Sequence, residues 1–287
     1  MIETLGVPAT AQRRRLAGVA LHTVEAGPAD GPLVVLLHGF PEFWWGWRRQ
    51  IPALAGAGLR VLAPDQRGYG LSDKPIGVAA YNLDVLAQDV VGLIESSGRA
   101  SARLVGHDWG GLVAWWVATR HPERVERLVV LNAPHPAVIG AYARSHPSQA
   151  RKSSYVGFFQ LPWLPEWALR RNGYAALRRA LRGSSRRGTF SDGDLAAYER
   201  AWREPGALTG MLNWYRALPR RPRVADARVA APTLLIWGER DRVLERGLGE
   251  ASLALCAAGR AVWLDASHWV HLEEAEAVNR AMTEFLA

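Results

Sequence analysis

The chain has 287 residues, of which 49% are hydrophobic and 22% charged, values typical of one large globular domain or of a domain with an insertion. Its single cysteine, Cys256, excludes a disulfide framework and a cysteine-based metal site. No run approaches the roughly 18 apolar residues of a membrane span, and residues 1–7 lack the pattern of a signal peptide, so we expect a cytoplasmic protein without membrane insertion.

The net charge of +8 is concentrated in one segment. Residues 144–223 hold 16 lysines and arginines but 5 acidic residues, with arginine pairs at Arg170-Arg171, Arg178-Arg179 and Arg220-Arg221. Such an excess can attract anionic substrates, membranes or nucleic acid. The pairs are mixed with apolar residues, and no nucleic-acid-binding motif accompanies them. We therefore interpret the segment as a solvated, arginine-rich helical surface and expect no nucleic-acid partner.

Strand-like and helix-like segments alternate through the first half of the chain and again near its end. Short apolar runs predict buried strands at Leu33–Leu37, Arg60–Ala63, Ala102–Val105, Leu128–Leu131, Thr233–Trp237 and Ala261–Leu264. Helical segments are predicted at Asn82–Ser97, Leu112–Arg120 and Glu274–Leu286. This alternation is typical of the α/β class, with a mostly parallel central sheet flanked by helices.

The alternation stops between residues 137 and 225, where the sequence is rich in arginine and tryptophan. Helical stretches such as Asp194–Arg203 and Leu208–Ala217 lie in this part. The pattern predicts a helical lid over residues 137–225, inserted into a core formed by residues 1–136 and 226–287.

Residues 106–110 read Gly-His-Asp-Trp-Gly and lie between a predicted strand and a predicted helix. This is the spacing and the context of a nucleophile elbow, a strained turn that exposes one side chain. That side chain is Asp108, where an esterase carries serine. A carboxylate that attacks saturated carbon forms an ester, which water can then cleave. Asp108 is therefore the predicted nucleophile; the alternative is a buried aspartate that caps the next helix.

The second step needs a general base that activates water. His268 follows the last predicted strand, where a site at the edge of the sheet would place it, and His271 is its nearest competitor. Asp241 follows the preceding strand and is the predicted orienting carboxylate, with Glu239 as the alternative. Asn132 occupies another position from which such an acid can come, but it cannot ionise.

The turn His38-Gly39-Phe40-Pro41 follows the strand Leu33–Leu37. It can aim the backbone N–H of Phe40 at the elbow, and together with the N–H of Trp109 it would form an oxyanion hole for hydrolysis of the ester. The chemistry requires neither a metal nor an organic cofactor, so none is expected.

These residues resemble those of the α/β-hydrolase superfamily and, within it, of the soluble epoxide hydrolases. The similarity covers nearly the whole chain, including His38-Gly39-Phe40-Pro41-Glu42 and residues 64–73, although Ala275 stands where proline usually starts the last helix. The more specific part lies in the predicted lid, where residues 155–160 and 213–216 resemble two lid segments of that family. The resemblance implies that Tyr155 and Tyr215 hold and protonate the oxygen of an epoxide, which becomes a vicinal diol.

The opening of an epoxide generates an alkoxide, a strongly basic leaving group that must be stabilised and protonated. A phenol, with an unperturbed pKa of about 10, can donate a strong hydrogen bond and then the proton. Two tyrosines in the lid therefore suit this leaving group.

Two other functions remain open from the sequence. Haloalkane dehalogenases share the aspartate elbow, but their halide is held by N–H donors, and Phe40 stands where one version of that family carries asparagine. Trp109 stands where fluoroacetate-type dehalogenases carry arginine. A non-catalytic binding protein of the same fold would lack part of the triad or the oxyanion turn.

The chain has 13 tryptophans, which predict an apolar, aromatic-lined pocket. We expect Phe40, Trp109, Trp214 and Trp269 to form part of its wall, with Trp163 nearby. Such a pocket implies a small apolar epoxide and water as the substrates. The sequence carries no signal for an oligomeric state.

Overall fold

An eight-stranded sheet forms the centre of the protein in a computed structural model, which describes residues 1–220 and 226–287. Its strands are β1 Ala9–Leu16, β2 Val19–Ala26, β3 Leu33–Leu37, β4 Arg60–Pro64, β5 Ala102–His107, β6 Val125–Leu131, β7 Thr233–Gly238 and β8 Gly259–Leu264. They lie in the order β1-β2-β4-β3-β5-β6-β7-β8. The pairs β1–β2 and β2–β4 are antiparallel and the others are parallel, so the predicted fold class is confirmed.

All six predicted strands overlap strands of the sheet, but the prediction omitted β1 and β2. Four consecutive residues of β1, residues 12–15, are one glutamine and three arginines. They do not alternate with apolar residues, because β1 lies at the edge of the sheet and most of its residues are exposed. Strand β1 therefore gives no period-2 signal, whereas β2 alternates buried and half-buried residues over residues 19–23 and was missed despite that signal.

Twelve α-helices surround the sheet within the described residues. They are α1 Gln50–Gly56, α2 Leu83–Ser96, α3 Trp109–Arg120, α4 Pro136–Ser145, α5 Pro147–Lys152, α6 Tyr155–Phe159, α7 Leu164–Ser184, α8 Asp192–Arg203, α9 Ala207–Ala217, α10 Arg246–Leu253, α11 Val270–Glu273 and α12 Ala275–Leu286. Helix α12 begins at Ala275, so its start does not depend on a proline. Among the described residues, none of the helices is both long enough and apolar enough to cross a bilayer.

The core is built from the central strands and α3. Every residue of β3 and β7 is buried, as expected for strands of a parallel sheet that is covered on both faces. Ten of the twelve residues of α3 are also buried, and the helix has no polar face. The carboxyl ends of parallel strands meet at one edge of a sheet, so the loops after β3, β5, β7 and β8 converge there.

Six helices, α4 to α9, lie between β6 and β7 in the described part of the chain. They are tied to the core by hydrogen bonds over the carboxyl edge of the sheet. The Tyr198 hydroxyl donates to Glu42 Oε1 at 2.8 Å, and the Trp202 indole donates to the Pro41 carbonyl at 2.6 Å. The predicted end of the lid at residue 225, and the second arginine of the pair Arg220-Arg221, lie outside the described residues.

Candidate active site

Asp108 lies in a tight turn between β5 and α3. Its backbone has φ 49° and ψ −120°, a strained conformation for a residue with a side chain. The flanking glycines are required by packing: a Cβ on Gly106 would lie 2.4 Å from the Gly110 carbonyl oxygen, and one on Gly110 would lie 2.1 Å from the Leu37 carbonyl oxygen. The turn thus holds the carboxylate of Asp108 at the edge of the sheet, in the position of a nucleophile elbow.

An imidazole and a second carboxylate lie next to Asp108. The Nδ1 atom of His268, in the loop after β8, is 2.8 Å from Oδ2 of Asp241, which follows β7. The Nε2 atom of His268 is 3.6 Å from Oδ2 of Asp108. His268 and Asp241 are both buried. The structure therefore brings together the predicted nucleophile, base and orienting acid in the geometry that a charge-stabilised histidine requires.

The two oxygens of Asp108 have different partners. The backbone N–H of Phe40 donates to Oδ1 at 2.8 Å, while Oδ2 faces His268. The turn after β3 can come this close because Gly39 has no side chain, since a Cβ there would lie 2.5 Å from Cβ of Asp108. Trp109 begins α3, so its N–H is one of the free donors at the helix start. The Phe40 N–H thus holds one oxygen of the Asp108 carboxylate, and the Trp109 N–H follows Asp108 directly in the chain.

Tyr155 and Tyr215 face Asp108 from the helices α6 and α9. The centres of their rings lie 5.9 Å apart, with the ring planes at 72° to each other. Burial raises the pKa of the Tyr155 phenol, and the Asp108 carboxylate raises it further. The pKa of Tyr215 is also raised by burial, by Tyr155 and by Asp108. Both phenols therefore keep their protons at neutral pH and can donate hydrogen bonds into the space above Asp108.

A cavity of about 270 Å³ lies above Asp108 and His268. Most of its wall is apolar, and its lining residues are Phe40, Pro41, Asp108, Tyr155, Phe159, Leu169, Ala176, Leu177, Ala180, Leu181, Ser184, Tyr215, Val243, His268 and Trp269. Only the described residues enter this lining, and among them only Ala180 is exposed. The cavity therefore combines an apolar wall with five convergent polar groups.

The predicted aromatic wall differs in part from the observed one. Phe40 and Trp269 line the cavity, whereas Trp109 and Trp214 lie behind Tyr215. The Trp214 indole donates to the Arg67 carbonyl at 2.9 Å, and the Trp109 ring packs edge-on against the Tyr215 ring with their centres 4.9 Å apart. Trp163 is 73% exposed and lies on the outer surface of the lid helices. The sequence could not distinguish these positions, because tryptophan packs equally well behind a wall and on it.

The comparisons with known proteins agree with this geometry. The family model for the alpha/beta hydrolase fold matches residues 32–275. The chain is 47% identical to the AB hydrolase superfamily protein YfhM of Bacillus subtilis, over 94% of this chain and 95% of that protein. It is 39% identical to epoxide hydrolase 4 of Homo sapiens, over 94% of this chain and 76% of that protein. The chain belongs to the epoxide hydrolases of the α/β-hydrolase fold.

A solved structure shows the same relationship in three dimensions. The chain superposes on the Bacillus megaterium epoxide hydrolase, crystallised with an inhibitor, with a TM-score of 0.89. The two chains are 32% identical, and the match covers 96% of this chain and 99% of the other. The resemblance inferred from the elbow and the lid segments is thereby confirmed.

The alternatives for base and acid lie elsewhere. His271 is fully buried, with Nε2 3.5 Å from Oε2 of Glu42. Burial lowers its pKa to about 4. Glu239 is exposed and pairs with Arg246 on the surface. Neither residue lines the cavity above Asp108.

A buried network supports the backbone of His268, and sequence reasoning missed it. His107 Nδ1 lies 3.1 Å from Glu42 Oε2, and His107 Nε2 lies 2.9 Å from the His268 carbonyl oxygen. Glu42, His107 and His271 form the one group of metal-ligand type found among the described residues. Glu42 is also bonded to Tyr198, and both nitrogens of His107 have partners. His107 thus links Glu42 to the backbone of His268 and holds that backbone in position.

Asn132 was considered only as a residue that cannot ionise, yet it holds the orienting acid. Its Nδ2 donates to Asp241 Oδ2 at 2.7 Å, and its Oδ1 accepts from the Gly238 N–H at 2.9 Å. The N–H groups of Val243 and Leu244 donate to the other oxygen of Asp241 at 2.7 and 3.0 Å. Although burial raises the pKa of Asp241, His268 and these donors lower it below its ordinary value. Asp241 thus stays ionised and fixed in orientation.

The substitution Asn132→Ala is expected to lower the free energy of unfolding by about 2–3 kcal/mol, because it leaves the buried Gly238 N–H unpaired and removes a donor from Asp241. Urea denaturation measures the change. The matched control is Asn82→Ala, since Asn82 caps α2 by accepting from the Val85 N–H; it is expected to cost about 1 kcal/mol without an effect on turnover. A loss no larger for Asn132→Ala than for the control would contradict this role.

His268 lies between two carboxylates. Burial alone would lower its pKa, but Asp241 and Asp108 outweigh burial and raise the pKa to about 10. The imidazole is therefore protonated in the resting protein at neutral pH. His268 can therefore donate a proton before it acts as a base.

This shift makes stability depend on pH in one direction. The imidazolium is favoured in the folded state, so its contribution is complete below the ordinary pKa of 6.5 and is lost as the pH rises through about 10. Between these values we expect the free energy of unfolding to fall by up to about 1.4 kcal/mol per pH unit. Urea denaturation at pH 7, 8.5 and 10 measures this fall. The free energy of unfolding of His268→Gln should depend less on pH than that of the parent protein. Equal slopes for the two proteins would contradict the raised pKa of His268.

Proposed function

We propose that this protein adds water to an epoxide to give a vicinal diol, through a hydroxyalkyl ester on Asp108. The observation that carries the proposal is the meeting of two tyrosine side chains opposite the Asp108 carboxylate across one apolar cavity. A carboxylate on one side and two proton donors on the other match an electrophile whose leaving group is an alkoxide. The membership of the chain in the epoxide hydrolases supports the same chemistry.

In the first step, Asp108 Oδ2 attacks an epoxide carbon while Tyr155 and Tyr215 bind the oxygen. The C–O bond of the ring breaks, and a tyrosine gives the alkoxide its proton. As negative charge leaves Asp108, the phenols lose the neighbour that raised their pKa. The His268 imidazolium can then return a proton to the tyrosinate, which leaves a neutral imidazole beside the new ester.

In the second step, neutral His268 takes a proton from water, and the hydroxide attacks the ester carbonyl. Oδ1 becomes the oxyanion and remains bonded to the Phe40 N–H, with the Trp109 N–H as the second proposed donor. The intermediate collapses, and the diol oxygen takes the proton from His268. The proton that the attacking hydroxide brought to Asp108 then passes to His268, which restores both the Asp108 carboxylate and the resting imidazolium. Asp241 holds the imidazolium that forms in this step. The residues named here thus account for every proton transfer in the two steps.

The helices α4 to α9 support a role for residues 137–225 as a lid over this chemistry. Tyr155, Phe159, Leu177 and Tyr215 form the wall of the cavity opposite the sheet. A cavity of about 270 Å³ with this lining suits a small apolar epoxide. We propose that the lid binds the substrate and excludes bulk water, and that the core supplies the nucleophile and the base.

A single turnover in oxygen-18 water tests the proposal. With excess enzyme, the first diol should carry no label, and the Asp108 peptide should carry it instead, because water attacks the ester carbonyl. Label in the first diol would show direct attack by water and overturn the covalent route. A parallel panel of epoxides and alkyl halides tests the rival chemistry, since halide release without diol formation would make the protein a dehalogenase.

A further inference from the structure

The lid carries a cluster of exposed apolar side chains. Seven large hydrophobic side chains are exposed among the described residues, and four of them fall within residues 158–167. They are Phe158 (37% exposed), Leu161 (44%), Trp163 (73%) and Trp167 (54%). We call these four side chains the aromatic lid patch. Clustered apolar exposure of this kind marks an interaction surface more often than scattered single residues do.

The patch is fixed in place. Arg216 donates to the carbonyls of Phe159 and Leu161 at 3.0 and 2.7 Å. It also forms a bidentate ion pair with Glu166, with N–O distances of 2.7 and 2.9 Å. Trp163 has φ 49°, an unfavourable backbone for a residue with a side chain. The chain thus holds an indole outward in a strained position instead of burying it, which argues against incidental exposure.

The segment that contains the patch is rich in positive charge. Residues 144–191 contain ten lysines and arginines and one acidic residue, Glu166, which is paired with Arg216, and four of the ten cations pair with acids outside this range. Arg170 and Arg171 follow the patch directly and are exposed, and the Arg171 guanidinium lies 4.6 Å from the centre of the Trp167 ring. Among the described residues, neither Arg170 nor Arg171 forms an ion pair with a carboxylate, so these two guanidinium groups lie next to the indoles with their charge uncompensated.

We propose that the aromatic lid patch docks on the surface of anionic phospholipid bilayers. Indole rings favour the region between lipid headgroups and acyl chains, because one part of the ring system is apolar and its N–H is polar. Arginine is attracted to anionic headgroups, and the attraction adds up over several residues. A second copy of this chain is a poorer occupant, since two-fold pairing would bring two arginine-rich faces together. This inference goes beyond epoxide hydrolysis and does not depend on it.

Docking would bring the cavity close to the lipid. Phe159 and Leu169 line the cavity from the same two segments that carry the patch, and Gln160 donates to the Tyr215 carbonyl at 2.9 Å. An apolar substrate dissolved in the bilayer would then meet the lid side of the cavity. The sequence alone indicates only a solvated surface for this basic segment. Together with the exposed indoles, its positive charge forms a surface that an anionic bilayer can bind.

Flotation of the full-length protein with vesicles tests the proposal. We expect binding to vesicles of phosphatidylcholine mixed with phosphatidylglycerol, weaker binding to phosphatidylcholine alone, and a decrease with added salt. The double substitution Trp163→Ser/Trp167→Ser should lower the bound fraction roughly tenfold. Ile76→Ser is the matched control, because Ile76 is fully exposed but lies outside the lid helices, and it should bind like the parent protein.

A second pair of substitutions, Arg170→Ser/Arg171→Ser, tests the electrostatic part while all four side chains of the patch are kept, although the contact of Arg171 with Trp167 is lost. It should weaken binding to the mixed vesicles and reduce the dependence on salt. The proposal is overturned if the parent protein does not float with the mixed vesicles, or if the tryptophan variant floats equally well. It is also overturned if sedimentation shows a dimer that the tryptophan substitutions dissociate, because a second copy would then cover the patch.

Discussion

Replacement of His268 with glutamine is expected to trap the protein as an ester on Asp108. Glutamine cannot take a proton from water, so the second step stops, whereas Asp108 and the two tyrosines remain in place for the first. A general base contributes about 10²–10⁴ in rate, and we expect turnover to fall by about 10³. Intact-protein mass spectrometry after mixing with an epoxide should show the mass of one substrate added, located on the peptide that contains Asp108.

The matched control is His271→Gln, which changes the other histidine of the same segment. Because His271 does not line the cavity, its variant should accumulate no ester. Glutamine at position 268 leaves the Asp241 carboxylate without its cation, but Asn132 and two backbone N–H groups still hold it. Slow turnover of His268→Gln without an adduct would mean that the histidine does not act on an ester.

The double substitution Tyr155→Phe/Tyr215→Phe is expected to stop the reaction one step earlier. Loss of one donor to a developing oxyanion costs about 10²–10³ in rate, so the loss of both should slow ring opening by at least about 10³. Phenylalanine keeps the ring packing against Phe159. Rapid-quench single-turnover experiments measure the formation of the ester, which should not accumulate in this variant even when His268→Gln is added.

Two controls separate proton donation from packing. Tyr142→Phe removes a hydroxyl from α4, outside the cavity lining, and should leave the ester-forming step unchanged. An activated alkyl halide offered to Asp108 needs no proton for its leaving group, so the tyrosine variant should keep whatever rate the parent shows with it. If the ester forms from an epoxide at the parental rate in the double variant, the tyrosines do not hold the alkoxide.

The sequence predicted those parts of the molecule that have a local signal. Strand β3 has its predicted bounds, because a fully buried strand is a continuous apolar run between turn residues. The elbow around Asp108 was predictable because it needs two glycines at fixed spacing, Gly106 where the turn approaches Gly110, and Gly110 where it approaches Leu37. The lid tyrosines came from resemblance, since a lone tyrosine has no pattern that distinguishes packing from catalysis.

Contacts between distant segments were not predictable in this way. Asn132 reaches Asp241 across 109 positions of the chain, and His107 reaches the backbone of His268 across 161. Each contact depends on which strands lie side by side, here β5, β6 and β7, and on the path of the loop after β8. The strands themselves are visible in the sequence, but their order in the sheet has no period or motif. Which tryptophans line the cavity likewise depends on contacts between distant segments. The prediction therefore placed Trp109 and Trp214 on the cavity wall and Trp163 near it, where the structure does not have them.

The unequal surroundings of the Asp108 oxygens have an isotopic consequence. Oδ1 is anchored by the Phe40 N–H, so Oδ2 forms each ester and leaves with each diol. The incoming water oxygen then takes the place of Oδ2. In oxygen-18 water, the Asp108 carboxylate should therefore gain one labelled oxygen atom and never a second, however many turnovers take place. On the proposed route, one oxygen of the carboxylate is permanent, while the other is replaced in every cycle and leaves with the next diol.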